Sequence, residues 1–85
     1  ADLVIAERER LRTALGELEL KVYPSRTNFL LFRVEKAAEI YDALAHAGIR
    51  LRYAPKIPGL EGHLRLTVGT KEENDLVLEK LKTLL

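Results

Sequence analysis

The sequence predicts an α+β fold: a small, mainly antiparallel sheet with helices packed on one face. Three observations predict it. Helix-like and strand-like periodicities follow one another in the order helix, strand, strand, helix, strand, strand, helix along 85 residues. Residues 63–68 alternate strictly, with Leu64, Leu66 and Val68 interleaved by His63, Arg65 and Thr67, the pattern of a strand buried on one face. Residues 28–34 are almost continuously apolar through Phe29, Leu30, Leu31, Phe32 and Val34, which predicts a strand covered on both faces.

The elements follow in order. Residues 3–15 read as a helix, with Val4, Leu11 and Leu15 on one face and the run Glu7-Arg8-Glu9-Arg10 mostly on the other. That run reads as a solvated face with local ion pairs. Gly16 ends or loosens the helix. Leu20 to Tyr23 forms a short strand that Pro24 and Ser25 break. After the apolar strand, residues 37–47 form a second amphipathic helix. Ala37, Ile40, Tyr41 and Leu44 share its face, Tyr41 packs at the core boundary, and Gly48 is the stop. Residues 49–53 alternate as a strand, so Ile49, Leu51 and Tyr53 take the core side while Arg50 and Arg52 leave opposite. Pro55, Pro58 and Gly59 mark residues 54–62 as a loop.

The stretch 63–74 organises the chain. Its strand leads through Gly69, read as a permissive turn position, into a helix over residues 71–84 lined by Val77, Leu81 and Leu84. Thr70 and Glu73 have the Thr-x-x-Glu spacing of a capping box. With the leucines facing a core, Arg65 faces the other way. An arginine fixed on a rigid strand and aimed off the core suits a planar oxyanion.

Composition excludes several classes. Fourteen basic against thirteen acidic side chains leave a net charge of +1, which gives no reason to expect nucleic acid or membrane surfaces as partners. Phe29 and Phe32 fall on opposite faces of one strand, so they make no two-base stacking platform. No apolar run approaches the roughly 18 residues of a spanning helix. There is no cysteine, hence no disulfide framework and no thiol nucleophile. His46 and His63 lack metal-ligand spacing. Ser25 reads as a turn residue, and no glycine-rich phosphate loop occurs. None of the six lysines sits in a setting that would clearly depress its pKa. No catalytic residue is assigned, and no cofactor or metal ligand. What remains is arginine: Arg50, Arg52 and Arg65 form a basic patch if their strands share a sheet. Arg50 reads as solvated.

Three co-linear stretches carry a family resemblance: Val22-Tyr23-Pro24-Ser25-Arg26-Thr27-Asn28-Phe29-Leu30-Leu31, Gly48-Ile49-Arg50-Leu51-Arg52, and Leu64-Arg65-Leu66-Thr67-Val68-Gly69-Thr70-Lys71-Glu72-Glu73-Asn74. Together they resemble the end of histidinol-phosphate aminotransferases, fold-type-I enzymes using pyridoxal phosphate. The resemblance covers nearly the whole chain. It implies one domain over residues 1–85, the small C-terminal piece of a larger aminotransferase of histidine biosynthesis, inactive alone. The absence of methionine, position 1 included, agrees with that expectation. The parent's large catalytic domain, with the cofactor-linked lysine and the pyridoxal-phosphate site, would precede residue 1. The fragment itself would bind no cofactor.

The resemblance further implies a cytoplasmic, homodimeric parent whose substrates are histidinol phosphate and glutamate or 2-oxoglutarate. Arg65 matches the arginine that holds the substrate anion in this family. Arg52 matches a second arginine supporting it, although Tyr53 stands where the family carries an acidic residue. Asn28 and Phe29 match as structural positions. Leu30 and Phe32 are expected on the face that the large domain covers. The alternative is a free-standing α+β module binding a small anion or a protein partner through its open sheet face.

Overall fold

In the computed structural model, which describes residues 2–85, three helices lie against one face of a three-stranded antiparallel sheet. Helix α1 spans Asp2–Glu17, α2 spans Ala37–His46 and α3 spans Lys71–Leu84; strands β1, β2 and β3 span Lys21–Val22, Phe29–Arg33 and His63–Thr67. The sheet order is β1-β2-β3. Register runs from Phe29 opposite Thr67 to Arg33 opposite His63.

The alternation in β3 decides which side is the core. Leu64 and Leu66 are buried, as are their β2 neighbours Leu30 and Phe32. They meet Leu11 and Leu15 of α1, Ile40 and Leu44 of α2, and Val77 and Leu81 of α3 in one cluster. Each such side chain removed from water contributes roughly 1.5–3 kcal/mol. The other face of β2 carries the half-buried Phe29 and Leu31.

Several expectations need correction. Leu30 and Phe32 do not lie on the open face; period 2 puts Phe29 and Leu31 there, and the helices take Leu30 and Phe32. Residues 49–53 form no full strand, because only Arg52 pairs, in a single antiparallel bridge to Arg65. Ile49 and Leu51 are nonetheless buried, so the alternation survives without the ladder. The strand read over residues 20–23 is paired as a ladder only at Lys21–Val22, with Tyr23 adding one bond to Leu31. Val4 and Leu84 are exposed at 39% and 40%. Both sit at helix ends, beyond the reach of the sheet, so helical phase alone does not bury them.

Gly69 serves by close approach rather than by a left-handed turn. It is absent from the positive-φ glycines, which are Gly48, Gly59 and Gly62. A Cβ at Gly69 would stand 2.5 Å from the Glu73 carboxylate. That carboxylate accepts from the Thr70 N–H at 2.8 Å, while the Thr70 hydroxyl accepts from the Glu73 N–H at 3.2 Å. The capping box is therefore complete and starts α3 directly after β3.

Asn74, 1% exposed, ties this turn to α1. Its carbonyl accepts from the Gly69 N–H at 2.9 Å, and its amide donates to the Gly69 carbonyl and to Glu7. Every polar atom of a buried amide needs such a partner, because an unpaired one costs about 1–3 kcal/mol. Glu7 also takes two bonds from Arg10, which reaches across to Asp75, itself paired with Lys71. The Arg10 and Asn74 donors hold the Glu7 carboxyl down at about 2.

Three outcomes follow from this packing. Thr70→Ala should cost about 1 kcal/mol in chemical unfolding, and Gly69→Ala, by displacing the Glu73 carboxylate from the Thr70 N–H, a similar amount. A folded pKa below the ordinary 4.5 means that Glu7 stabilises the fold above that value. This contribution is lost as pH falls from about 4.5 to about 2. Glu7→Gln should thus melt below the parent chain at pH 6 and converge with it near pH 2. Parallel melting curves across that range would contradict the assignment.

Candidate substrate-anion site

Arg65 is positioned by backbone pairing on both sides of β3. Its N–H donates to the Arg52 carbonyl at 2.9 Å, and its carbonyl accepts from the Arg52 N–H at 2.9 Å. Its backbone groups are thereby turned away from β2, so Leu31, directly opposite, is a non-hydrogen-bonded neighbour with close side-chain approach. Directly paired residues share a face. Arg65, Arg52 and Leu31 therefore project from the same side of the sheet, away from the helices.

The two arginines differ in setting. Arg52 is exposed and Arg65 is half-buried. The Arg65 guanidinium carbon stands 4.1 Å from the centre of the Phe29 ring, an attraction of about 0.5–1 kcal/mol at a partly wet site. The ring holds the guanidinium against the open face of the sheet. The Arg65 Nε is buried with no hydrogen-bond partner among the described residues. An orphaned charged donor is costly in isolation, and an oxyanion drawn to the edge of the fork would supply its acceptor.

Two hollows meet at this side chain. One, of about 140 Å³, is bordered by Arg52, Arg65, His63, Leu31 and the loop residues Ala54, Ile57 and Leu60. The second, of about 330 Å³, is bordered by Arg65, Phe29, Leu31, Tyr23, Ser25 and Thr27. Its loop wall is braced locally. The Ser25 and Thr27 hydroxyls lie 2.8 Å apart, Thr27 Oγ1 accepts from the Phe29 N–H, and Arg8 of α1 donates to the Thr27 carbonyl at 3.1 Å. A guanidinium fork with a second guanidinium on the same face, apolar walls and flanking hydroxyls can hold a carboxylate or a phosphate.

The structure thus brings Arg65 and Arg52 together, as the alternation of their two segments predicts. Arg50 is exposed and borders neither hollow. Phe29, read as structural, is the platform beneath Arg65. Sequence reasoning missed Tyr23 and His63, whose side chains meet on this same face at 3.1 Å. The signal was present, since both occupy open-face positions of period-2 segments, but 40 residues separate them and only the register joins them. Among the described residues no lysine borders either hollow, and no cluster of three metal-ligating side chains occurs.

Comparison with known proteins places the chain. The family model for aminotransferase class I and II matches residues 1–81. A histidinol-phosphate aminotransferase of Thermoanaerobacter is 45% identical over 83 residues, 96% of this chain and 24% of that protein. Among solved structures, a putative aminotransferase from Burkholderia pseudomallei superposes with a TM-score of 0.89 at 30% identity over 98% of this chain and 26% of the other. An L-threonine-O-3-phosphate decarboxylase from Porphyromonas gingivalis does so at 0.82 and 32%, over 93% of this chain and 26% of the other. The chain spans about a quarter of the length of the relatives it matches. With the family model covering all but its last few residues, the chain belongs to the aminotransferase class I and II family.

Proposed function

We propose that this chain is the C-terminal small domain of a larger pyridoxal-phosphate enzyme resembling histidinol-phosphate aminotransferase. In that parent it holds the anionic group of the substrate through Arg65, with Arg52 in support. The observation that carries the reading is the Arg65 fork, set over the Phe29 ring, with a buried Nε that has no acceptor among the described residues. Both named relatives above with assigned substrates act on phosphate esters, which supports a phosphate, or a carboxylate of like geometry, as the anion. Histidinol phosphate and glutamate or 2-oxoglutarate meet that requirement.

The cofactor, when bound to the parent, supplies the electron sink for the chemistry at the amine carbon. Among the described residues no lysine borders the hollows at Arg65, and the arginines give this chain the part of binding and orienting the substrate. Alone it is inert. The half-buried Phe29 and Leu31 and the 52% exposed Ile57 present an apolar border to the arginines. We assign the large domain of a homodimeric, cytoplasmic parent to that side. The alternative, a free-standing anion-binding module, rests on the same arginines and differs in needing no such cover.

In the intact parent, Arg65→Ala should weaken kcat/KM at least tenfold, since a charged hydrogen bond is worth roughly 1.5–3 kcal/mol. Arg65→Lys should recover only part of the loss, because an ammonium cannot reproduce the planar fork. In the 85-residue chain, Arg65→Ala should cost under about 1 kcal/mol of stability, whereas Leu64→Ala one position away should cost about 2–5 kcal/mol. Unchanged kinetics, or unfolding of the chain by Arg65→Ala, would assign Arg65 to the fold instead.

A further inference from the structure

Tyr23 and His63 make a pair that the anion site above does not use. The Tyr23 hydroxyl lies 3.1 Å from His63 Nε2, and the two rings are 5.5 Å apart at 41°. His63 Nδ1 lies 2.8 Å from the Glu61 backbone carbonyl. A carbonyl only accepts, so Nδ1 carries the hydrogen. In the neutral imidazole, Nε2 is then a bare acceptor and the Tyr23 O–H must donate to it. The hydroxyl proton is thereby committed to His63, although Tyr23 borders the same hollow as Arg65.

Protonation of His63 reverses this bond. Nε2 takes a proton from solvent and becomes a donor, the Tyr23 oxygen becomes its acceptor, and the phenolic O–H turns elsewhere. No covalent bond of the protein breaks. The hollow that Tyr23 borders together with Arg65 is then open to the phenol, and Arg65 stands two residues from His63 on the same face of β3.

We propose that Tyr23 is an additional donor to the anion held by Arg65, and that His63 sets whether its proton is available. The proposal rests on the reading of Arg65 as an anion site and names a contact that reading does not require. The charged side chains on the same face are Lys21 of β1, whose ammonium lies 5.2 Å from the centre of the Tyr23 ring, Arg33 of β2, Arg65 of β3, and Arg52 beside it. All are cations; the Glu61 carboxylate is turned to the Gly59 N–H. A dianion against Arg65 therefore favours a positive imidazole and is favoured by it. Histidines change charge between about pH 5 and 8, so anion affinity should rise as pH falls through that range.

Sulfate is the probe, because it remains a dianion throughout. Its binding to the chain is followed by NMR at pH 5.5 and pH 8, with the His63 ring nitrogens read in the same spectra. The unsubstituted chain should bind sulfate about fivefold more tightly at pH 5.5, the worth of one partly exposed charge-assisted hydrogen bond. His63 should show the Nδ1–H form at pH 8. Tyr23→Phe should remove most of the pH dependence, leaving the affinity at pH 5.5 close to that at pH 8. His63→Gln should abolish it.

Sulfate binding that Arg65→Ala removes, but whose pH dependence survives Tyr23→Phe, would overturn this proposal and leave the Arg65 site standing, His63 acting through charge alone. An Nε2–H form at pH 8 would overturn it as well. No sulfate binding at either pH would overturn both readings.

Discussion

Strand β3 is the constraint on which the rest depends, because it is paired on both sides and can face only one way. Leu64 and Leu66 point to the helices and Arg65 points away. A slip of one residue would exchange the two sets, placing a guanidinium among Leu11, Leu15, Leu44 and Leu81. The cost of burying that charge, set against the apolar area lost, fixes the register. The same pairing that builds the core thus delivers the arginine, with its fork already oriented, to the open face.

The two ends of β3 are secured differently. At its end, Val68 donates to the Asn28 carbonyl, and Asn74 and the capping box hold Gly69 and Thr70. At its start, His63 is held by the Leu60 and Glu61 carbonyls and by Tyr23. The first set ties β3 to the start of β2 and to α3; the second includes the Tyr23–His63 contact on the open face beside the arginines. Asn74 and the Thr70 cap tie α3 to the turn and to α1, while Arg65, Arg52, Tyr23 and His63 stand on the open face.

Much of this was legible in the sequence. The α+β class, the capping box at Thr70 and Glu73, the core roles of Leu11, Leu44 and Leu81, and the shared face of Arg52 and Arg65 all follow from periodicity and spacing. The family resemblance drawn from residues 22–31, 48–52 and 64–74 is met by a family match over residues 1–81. What escaped depended on register or on distance along the chain. Phase alone cannot say which parity of an apolar run such as Phe29-Leu30-Leu31-Phe32 the helices will take, so Leu30 and Phe32 were assigned to the wrong face. Amphipathic phase also overreached at helix ends, where Val4 and Leu84 stay 39% and 40% exposed. The Tyr23–His63 contact and the Glu7–Asn74 contact join positions 40 and 67 residues apart, which no local pattern encodes.

The reading of Arg65 on the open face of β3 as an anion fork, rather than a solvated arginine, is open to direct test. The most direct measurement is a structure of the intact parent with a phosphate-ester or amino-acid substrate bound. The Arg65 guanidinium, still against the Phe29 ring, should lie within about 2.7–2.9 Å of two oxygens of one anionic group of the substrate, with Arg52 on the same side. An anion seated elsewhere, with Arg65 facing solvent or paired to a carboxylate of the large domain, would contradict it.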